Sequence, residues 1–379
     1  MTDSRFECIV LGVGGIGSAA LYYLARKGVR ALGIDRFEPG HDRGSSHGDT
    51  RIIRLAYFEH PDYVPLLKKS YLLWSELEET HRNQLLFKSG LLQTGPANGD
   101  VIKGIRRSAK LHSLEIEEVD KSDLNDRFPG FQIPDSHSVI FEKDAGFLLV
   151  EESIKAFTAN AVNLGAQLAV GDSIVSWNQN DRLFSVLTEK NEYVSERLIV
   201  SPGAWAPAIL PEVDVPFSIV RKPLLWYRTK SQDYSLENGA PAFLIEDGSG
   251  IFYGFPQTGG NEMKLAEHTG GTVIDDPFLP DRRLLETDRS SVECFIGSYL
   301  PGVTKNCLRH TVCMYTRSPD DHFVIDAIPG TLNGYFAAGL SGHGYKFAAV
   351  LGKALADLVV DGKSKEDLDF LRLSRFGKC

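Results

Sequence analysis

Two strand–glycine turn–helix units, one at each end of the 379-residue chain, and a run of strands without intervening helices in its middle predict a mixed α/β (α+β) fold. The end units belong together as one Rossmann-like domain, and the strand-rich middle makes a second, antiparallel-sheet domain. Length alone allows about two to four domains.

The first unit opens on the apolar run 6–11. Gly12-Val13-Gly14-Gly15-Ile16-Gly17 follows, then a helical pattern from Ser18 to Lys27 that stops at Gly28. Gly12 permits the tight turn, Gly14 lets a pyrophosphate approach the backbone, and Gly17 lets helix and strand pack closely. The helix start offers unpaired N–H groups and partial positive charge to phosphates. A second strand over 29–34 ends at Asp35, 35 − 12 = 23 residues past the first glycine. An acid there binds ribose hydroxyls and repels a 2′-phosphate. The motif by itself fits NAD and FAD alike. Residues 9–25 are apolar, but four glycines break them and Arg26-Lys27 follow, so no secretory signal is expected.

Helical spacing recurs over 64–79 and 151–164, while 80–145 reads as short mixed segments with turns at Phe128-Pro129-Gly130 and Ile133-Pro134. Strands are expected over 167–170, 174–177, 184–187 and 197–200, then over 223–227, 242–245 and 250–255, with a polar helix near 280–297. The closing unit is a strand over 334–338, the turn Gly339-Leu340-Ser341-Gly342-His343-Gly344 and an apolar helix over 345–360. A second glycine turn facing the first suits a large dinucleotide, with one loop at the pyrophosphate and the other at the far ring. The helix from Tyr345 would aim its positive end at that ring.

Lys and Arg total 41 against 50 Asp and Glu, a net charge of −9 with no basic tract, which argues against nucleic acid as a partner. No stretch of about 18 apolar residues predicts a membrane span. The five cysteines, Cys8, Cys294, Cys307, Cys313 and Cys379, are too sparse for a disulfide scaffold and fit a reducing compartment, so a cytoplasmic protein is expected. His41, His47, His60, His310, His322 and His343 show no metal-ligand spacing, and no metal is expected.

Gly12–Gly17 with Asp35, followed by Gly44-Ser45-Ser46-His47-Gly48-Asp49-Thr50-Arg51-Ile52-Ile53-Arg54, resembles the monomeric sarcosine oxidase and N-methyl-L-tryptophan oxidase family, covalent-FAD amine oxidases of the D-amino-acid-oxidase-like superfamily. The similarity continues through Phe252-Tyr253-Gly254-Phe255-Pro256, Val312-Cys313-Met314-Tyr315-Thr316, Asp321-His322-Phe323-Val324-Ile325-Asp326 and Ser341-Gly342-His343-Gly344-Tyr345-Lys346-Phe347, in the family's order along nearly the whole chain. Val220-Arg221-Lys222 and Leu371-Arg372-Leu373-Ser374-Arg375-Phe376 look most like the N-methyltryptophan oxidase branch.

The resemblance implies FAD held by Gly12, Gly14, Gly15, Gly17, Asp35, Arg36, Ser45, Thr50, Arg51, Gly342, Gly344 and Lys346, and joined through its 8α-methyl group to the sulfur of Cys313. Arg51 corresponds to the family arginine beside the flavin ring. Arg54 and Lys346 correspond to the pair that seats the substrate carboxylate, and Tyr253, Leu244, His268 and Tyr315 to side chains around the substrate. Lys264 matches the lysine that assists reaction of reduced flavin with oxygen. Without the motifs, Arg51, Arg54 and Lys264 would read as surface charges and His268 as a satisfied histidine.

The implied reaction takes a hydride equivalent from the carbon next to a neutral secondary amine. Water then hydrolyses the imine, and for an N-methyl amino acid the products are formaldehyde, the primary amino acid and hydrogen peroxide. A monomer acting on a small secondary amino acid and O2 is expected. Three positions depart from the family: Ser46 where a second histidine is usual, Leu244 where a methionine covers the pocket, and Phe58 where glycine is common. They concern the substrate's side-chain volume, so N-methyl-L-tryptophan, sarcosine, L-pipecolate and fructosyl amino acids all stay open. A flavin dehydrogenase with another electron acceptor is the alternative. The expected division puts FAD on residues 1–80, 146–215 and 306–379 and the substrate on 81–145 and 216–305.

Overall fold

The structure, a computed structural model, describes residues 5–377, so Cys379 lies outside the described residues. The first strand, Arg5–Leu11, lies at the centre of an eight-stranded sheet. On one side it pairs in parallel with Ala31–Asp35, which pairs with Gln167–Val170; on the other it pairs with Glu192–Val200, which pairs with Gly334–Ala338. The hairpin strands Ile174–Asn180 and Leu183–Thr188 extend the sheet as an antiparallel meander beside Glu192–Val200. Parallel strands need crossovers, and helices cover them here. Gly15–Arg26 packs against both Val150–Asn163 and Ala348–Asp361. At the second contact Gly352 abuts Ala19 so closely that an added Cβ would lie 2.5 Å from the Ala19 methyl. The chain-end unit and the chain-start unit are thereby locked into one layer.

A nine-stranded sheet forms the second layer. Its backbone is the long strand Ser218–Thr229, flanked by Val303–Arg317 on one edge and by Thr272–Ile274 and Glu262–Glu267 on the other. Gly250–Gly254, Ala242–Asp247, Leu91–Pro96, His137–Glu142 and Glu117–Glu118 continue it. The sheet is antiparallel except for one parallel pair, Ala242–Asp247 with Leu91–Pro96. Those two strands are far apart in sequence, and the intervening chain supplies the crossover that parallel pairing requires. Val303–Arg317 belongs to this sheet by pairing, and the boundary expected between 305 and 306 falls inside it.

Three further differences from the expected elements matter for the site. The region 80–145 contains the helix Asp100–His112, which no expected element covered. A small third sheet pairs Thr50–Ile53 with Gly146–Leu149, and Leu86–Phe87 with the same strand. The expected continuous helix from 345 opens as a 3-10 turn, Tyr345–Phe347, before the α-helix Ala348–Asp361. Among the described residues no helix is long and apolar enough to cross a membrane, and no cluster of three His, Cys, Asp or Glu could hold a metal.

Candidate active site

The first glycine turn, the end of Ala31–Asp35, the segment after Glu192–Val200 and the second glycine turn enclose a cleft of about 1450 Å3, counted with the solvent at its mouth. Much of its wall is backbone. Gly12 has φ +83°, and a Cβ there would meet the Ser201 carbonyl oxygen at 2.5 Å. Gly17 faces the Gly12 carbonyl, where any side chain would overlap it. Gly14 has open space beside it, and Gly12, Gly14, Gly15 and Ile16 line the cleft, so the helix Gly15–Arg26 presents its N-terminus there. Asp35 closes the next position along. Its Oδ2 accepts the Val13 N–H at 2.7 Å and its Oδ1 the Phe37 N–H at 2.9 Å. Burial raises its pKa against the opposing pull of the Phe37 N–H and His41. Arg36 continues the wall, its guanidinium 5.5 Å from the ring centres of both Phe37 and Phe278. Gly342 and Gly344 form the opposite end, and Gly342, at φ +81°, leaves no room for a side chain against the Tyr315 ring.

A smaller pocket of about 470 Å3 adjoins this end, and Arg51, Tyr315, Gly342 and Tyr345 line both spaces. Arg51 projects from Thr50–Ile53 and is fixed by the Thr50 carbonyl at 2.8 Å, the Ser45 carbonyl at 3.1 Å and the Cys313 sulfur at 3.4 Å. Cys313 is buried behind Ser45, its thiol 3.3 Å from the Ser45 carbonyl. Leu244 and Tyr253 are cross-strand partners, which puts both side chains on the face that lines the pocket. His268 stands across from them, its Nδ1 3.4 Å from the Tyr315 hydroxyl. Burial takes the His268 pKa down to about 3, so its ring is neutral at ordinary pH.

Charge in the pocket is concentrated and buried. Arg54 donates to Glu59 Oε2 at 2.6 Å and lies 4.6 and 4.8 Å from the ring centres of Tyr57 and Phe58. Lys346 donates to the His343 carbonyl at 2.8 Å; burial first, then Arg54, lowers its pKa to about 7. Burial opposes ionisation of Glu59, but Arg54, His343 and Lys346 outweigh it and hold the carboxyl at about 2. Arg54 and Lys264, which without the motifs would read as surface charges, are buried, and Arg51 is half-buried, because the folded chain places them between the layers.

Four expected positions differ in detail. Lys346 lines the smaller pocket and not the cleft. Lys264, Thr50 and Cys313 lie behind the wall that Arg51 forms and line neither space. The Lys264 ammonium donates to the Gly48 carbonyl at 2.5 Å and to the Thr50 carbonyl at 2.7 Å, so Lys264 and Arg51 share one carbonyl acceptor. Burial, then Arg51, pushes the Lys264 pKa well below its usual value. Glu59 and His343 also line the pocket, and Trp205 and Phe278 the cleft, without having been singled out from sequence. The acid five residues past Arg54 was the one available signal among them.

The cleft fits a dinucleotide that ends in a ring at Arg51. An open glycine, a helix N-terminus and an acid follow one another along it, and the Ser45 hydroxyl and both ring nitrogens of His47 are buried at that end without a partner among the described residues. Such a cleft meeting a cationic pocket is the arrangement of a nucleotide-binding enzyme. Residues 7–358 match the family of FAD-dependent oxidoreductases. The chain is 38% identical to monomeric sarcosine oxidase of Bacillus sp. (strain NS-129), over 98% of this chain and 97% of that one. It is 37% identical to N-methyl-L-tryptophan oxidase of Escherichia coli, over 98% of this chain and 100% of that one. The chain therefore belongs to the FAD-dependent oxidoreductase family, in the group of these two oxidases. Its fold matches that of NikD, an amino acid oxidase of nikkomycin biosynthesis, with a TM-score of 0.86 at 20% identity over 98% of both chains.

Proposed function

We propose that the chain is an oxidase of secondary amino acids, of the N-methyl-L-tryptophan or sarcosine oxidase type. The observation that carries this reading is the junction at Arg51, Tyr315 and Gly342, where the dinucleotide cleft meets a pocket holding two buried cations, Arg54 and Lys346. FAD, when bound, supplies the acceptor for a hydride from the substrate carbon next to nitrogen. Gly12, Gly14, Gly15 and Asp35 hold its phosphates and ribose, with Gly17 shaping their turn. Arg36 and Ser45 flank them, and Arg51, Gly342 and Gly344 meet the ring. Cys313, within reach of Ser45 and Arg51, carries the covalent link. The FAD-holding part comprises residues 1–80, 146–215 and 306–379, and Cys313 reaches it from the strand Val303–Arg317, which pairs with the second sheet.

Arg54 and Lys346 seat the substrate carboxylate, which displaces Glu59 from Arg54 as its anionic partner. The same two cations disfavour a protonated substrate amine, which keeps the nitrogen lone pair available as the hydride leaves. Neutral His268, Tyr315, Tyr253 and Leu244 confine the carbon against the cleft and keep water out. Arg51 places positive charge where oxygen gains electrons, and Lys264, joined to it at the Thr50 carbonyl, assists that step. On this reading the enzyme works as a cytoplasmic monomer and releases hydrogen peroxide.

Peroxide release from the purified protein, screened over sarcosine, N-methyl-L-tryptophan, L-pipecolate, L-proline and fructosyl amino acids, tests the reading. One or more secondary amino acids is expected to give stoichiometric peroxide. Flavin reduction without peroxide would move the protein to the dehydrogenases. Acid precipitation is expected to leave the yellow colour on the chain, and Cys313→Ala to release it.

A further inference from the structure

The segment between Arg54 and His60 forms no regular structure, yet it carries Phe58 and Glu59 into the pocket and follows directly on Arg54. Its backbone is held from outside. Leu55 and Ala56 lie just past the strand Thr50–Ile53, and their N–H groups both bond to the carboxylate of Glu142, at the end of His137–Glu142 in the second sheet. Glu142 is 3% exposed and forms no ion pair among the described residues. Burial pushes its carboxyl up to about 7, against the pull of the Leu55 and Ala56 N–H groups. Two more anchors follow. The Ser108 hydroxyl, on the helix Asp100–His112, donates to the Tyr57 carbonyl at 2.5 Å, and the Tyr57 hydroxyl is 2.6 Å from His343 Nδ1.

We infer that Glu142 is a positioning residue for the carboxylate seat: it fixes the strap 55–59, and through the strap the direction of Arg54, without touching the substrate. The inference rests on the assignment of Arg54 to the substrate carboxylate. A buried carboxylate is costly, and an apolar residue would pack there if filling space were the only requirement. A carboxylate with two oxygens is the one acidic side-chain group that accepts two adjacent N–H groups which no strand can reach. Losing it leaves one buried and one half-buried donor unsatisfied, and the strap relaxes toward other acceptors. Arg54, whose guanidinium rests on the Tyr57 and Phe58 rings of that strap, moves with it.

The FAD-loaded full-length enzyme is titrated with phenylacetate and, separately, with neutral phenylacetamide, following flavin absorbance. Neither compound has an amine to oxidise, so the titration is independent of turnover, and an unaltered enzyme without peroxide release would fail the functional reading alone. Glu142→Gln is expected to weaken phenylacetate roughly tenfold and to leave phenylacetamide within about twofold. Ser108→Ala, which frees the Tyr57 carbonyl of the same strap, is expected to weaken phenylacetate about threefold and serves if Glu142→Gln does not load FAD. Unchanged phenylacetate binding in either variant, equal weakening of both ligands, or an unaltered enzyme that binds the two alike would overturn the inference.

Discussion

The cleft and the pocket meet at the same four residues but are built from different materials. The cleft is shaped by backbone: glycines at the turns, a helix N-terminus and one acid bound to two N–H groups. The pocket is shaped by side chains drawn from the second and third sheets, the segment after Arg54 and the second glycine turn, and its charges are tuned by one another. A backbone site tolerates almost any side chain outside it and no change at its glycines. A side-chain site can be re-cut one residue at a time. That contrast explains how one dinucleotide cradle serves oxidases with different substrates.

The comparison can be broken most severely at Gly17. Alanine there would force the helix away from the Gly12 carbonyl, and overpacking of about 1–3 kcal/mol predicts a ten- to hundredfold loss of FAD affinity. The ratio of flavin to protein absorbance in purified Gly17→Ala checks it, and full occupancy would refute the backbone account. Next comes Arg54→Met, which removes a buried cation from the seat and leaves Glu59 without its partner. A loss of about 2–4 kcal/mol in kcat/KM is expected, carried by KM, together with a smaller loss for an amine that lacks a carboxylate.

The pH dependence of the seat is the third effect. Lys346, at about 7 in the folded protein, is charged below that pH and neutral above it. Affinity for carboxylate ligands is therefore greatest below about pH 7 and declines as pH rises through it, by up to about tenfold per unit. Lys346→Met should flatten the profile of phenylacetate binding; an unchanged profile would remove Lys346 from the seat. The smallest effect is expected at Phe58. Phe58→Gly opens the pocket beside Leu244, and a shift of about tenfold in the ratio of kcat/KM for N-methyl-L-tryptophan over sarcosine is expected.

The same contrast governs how much of the molecule was legible in sequence. Gly12, Gly14, Gly17 and Asp35 announce themselves because a turn and a ribose acid impose local spacing. The pocket residues were readable only through resemblance, since nothing in the spacing of Arg54, Lys264 and Lys346 reveals that folding buries them between layers. Glu142 looks like an ordinary surface acid, and its partners Leu55 and Ala56 lie far away in sequence. The helix Asp100–His112 was hidden by Gly104 in its middle and by its many basic residues. The structure gives Gly104 its reason: the Phe58 backbone packs against it where a side chain would stand.

One feature of the first sheet has a consequence for synthesis. The strand Gly334–Ala338 and the helix Ala348–Asp361 close against Glu192–Val200 and Gly15–Arg26, joining the end of the chain to its middle and its start. A nascent chain emerging from the ribosome can form the first glycine turn early, yet the far wall of the cleft arrives only when translation is nearly over. Contacts of such long sequence separation form slowly, because the ends must first find each other. Flavin capture is thereby a late event.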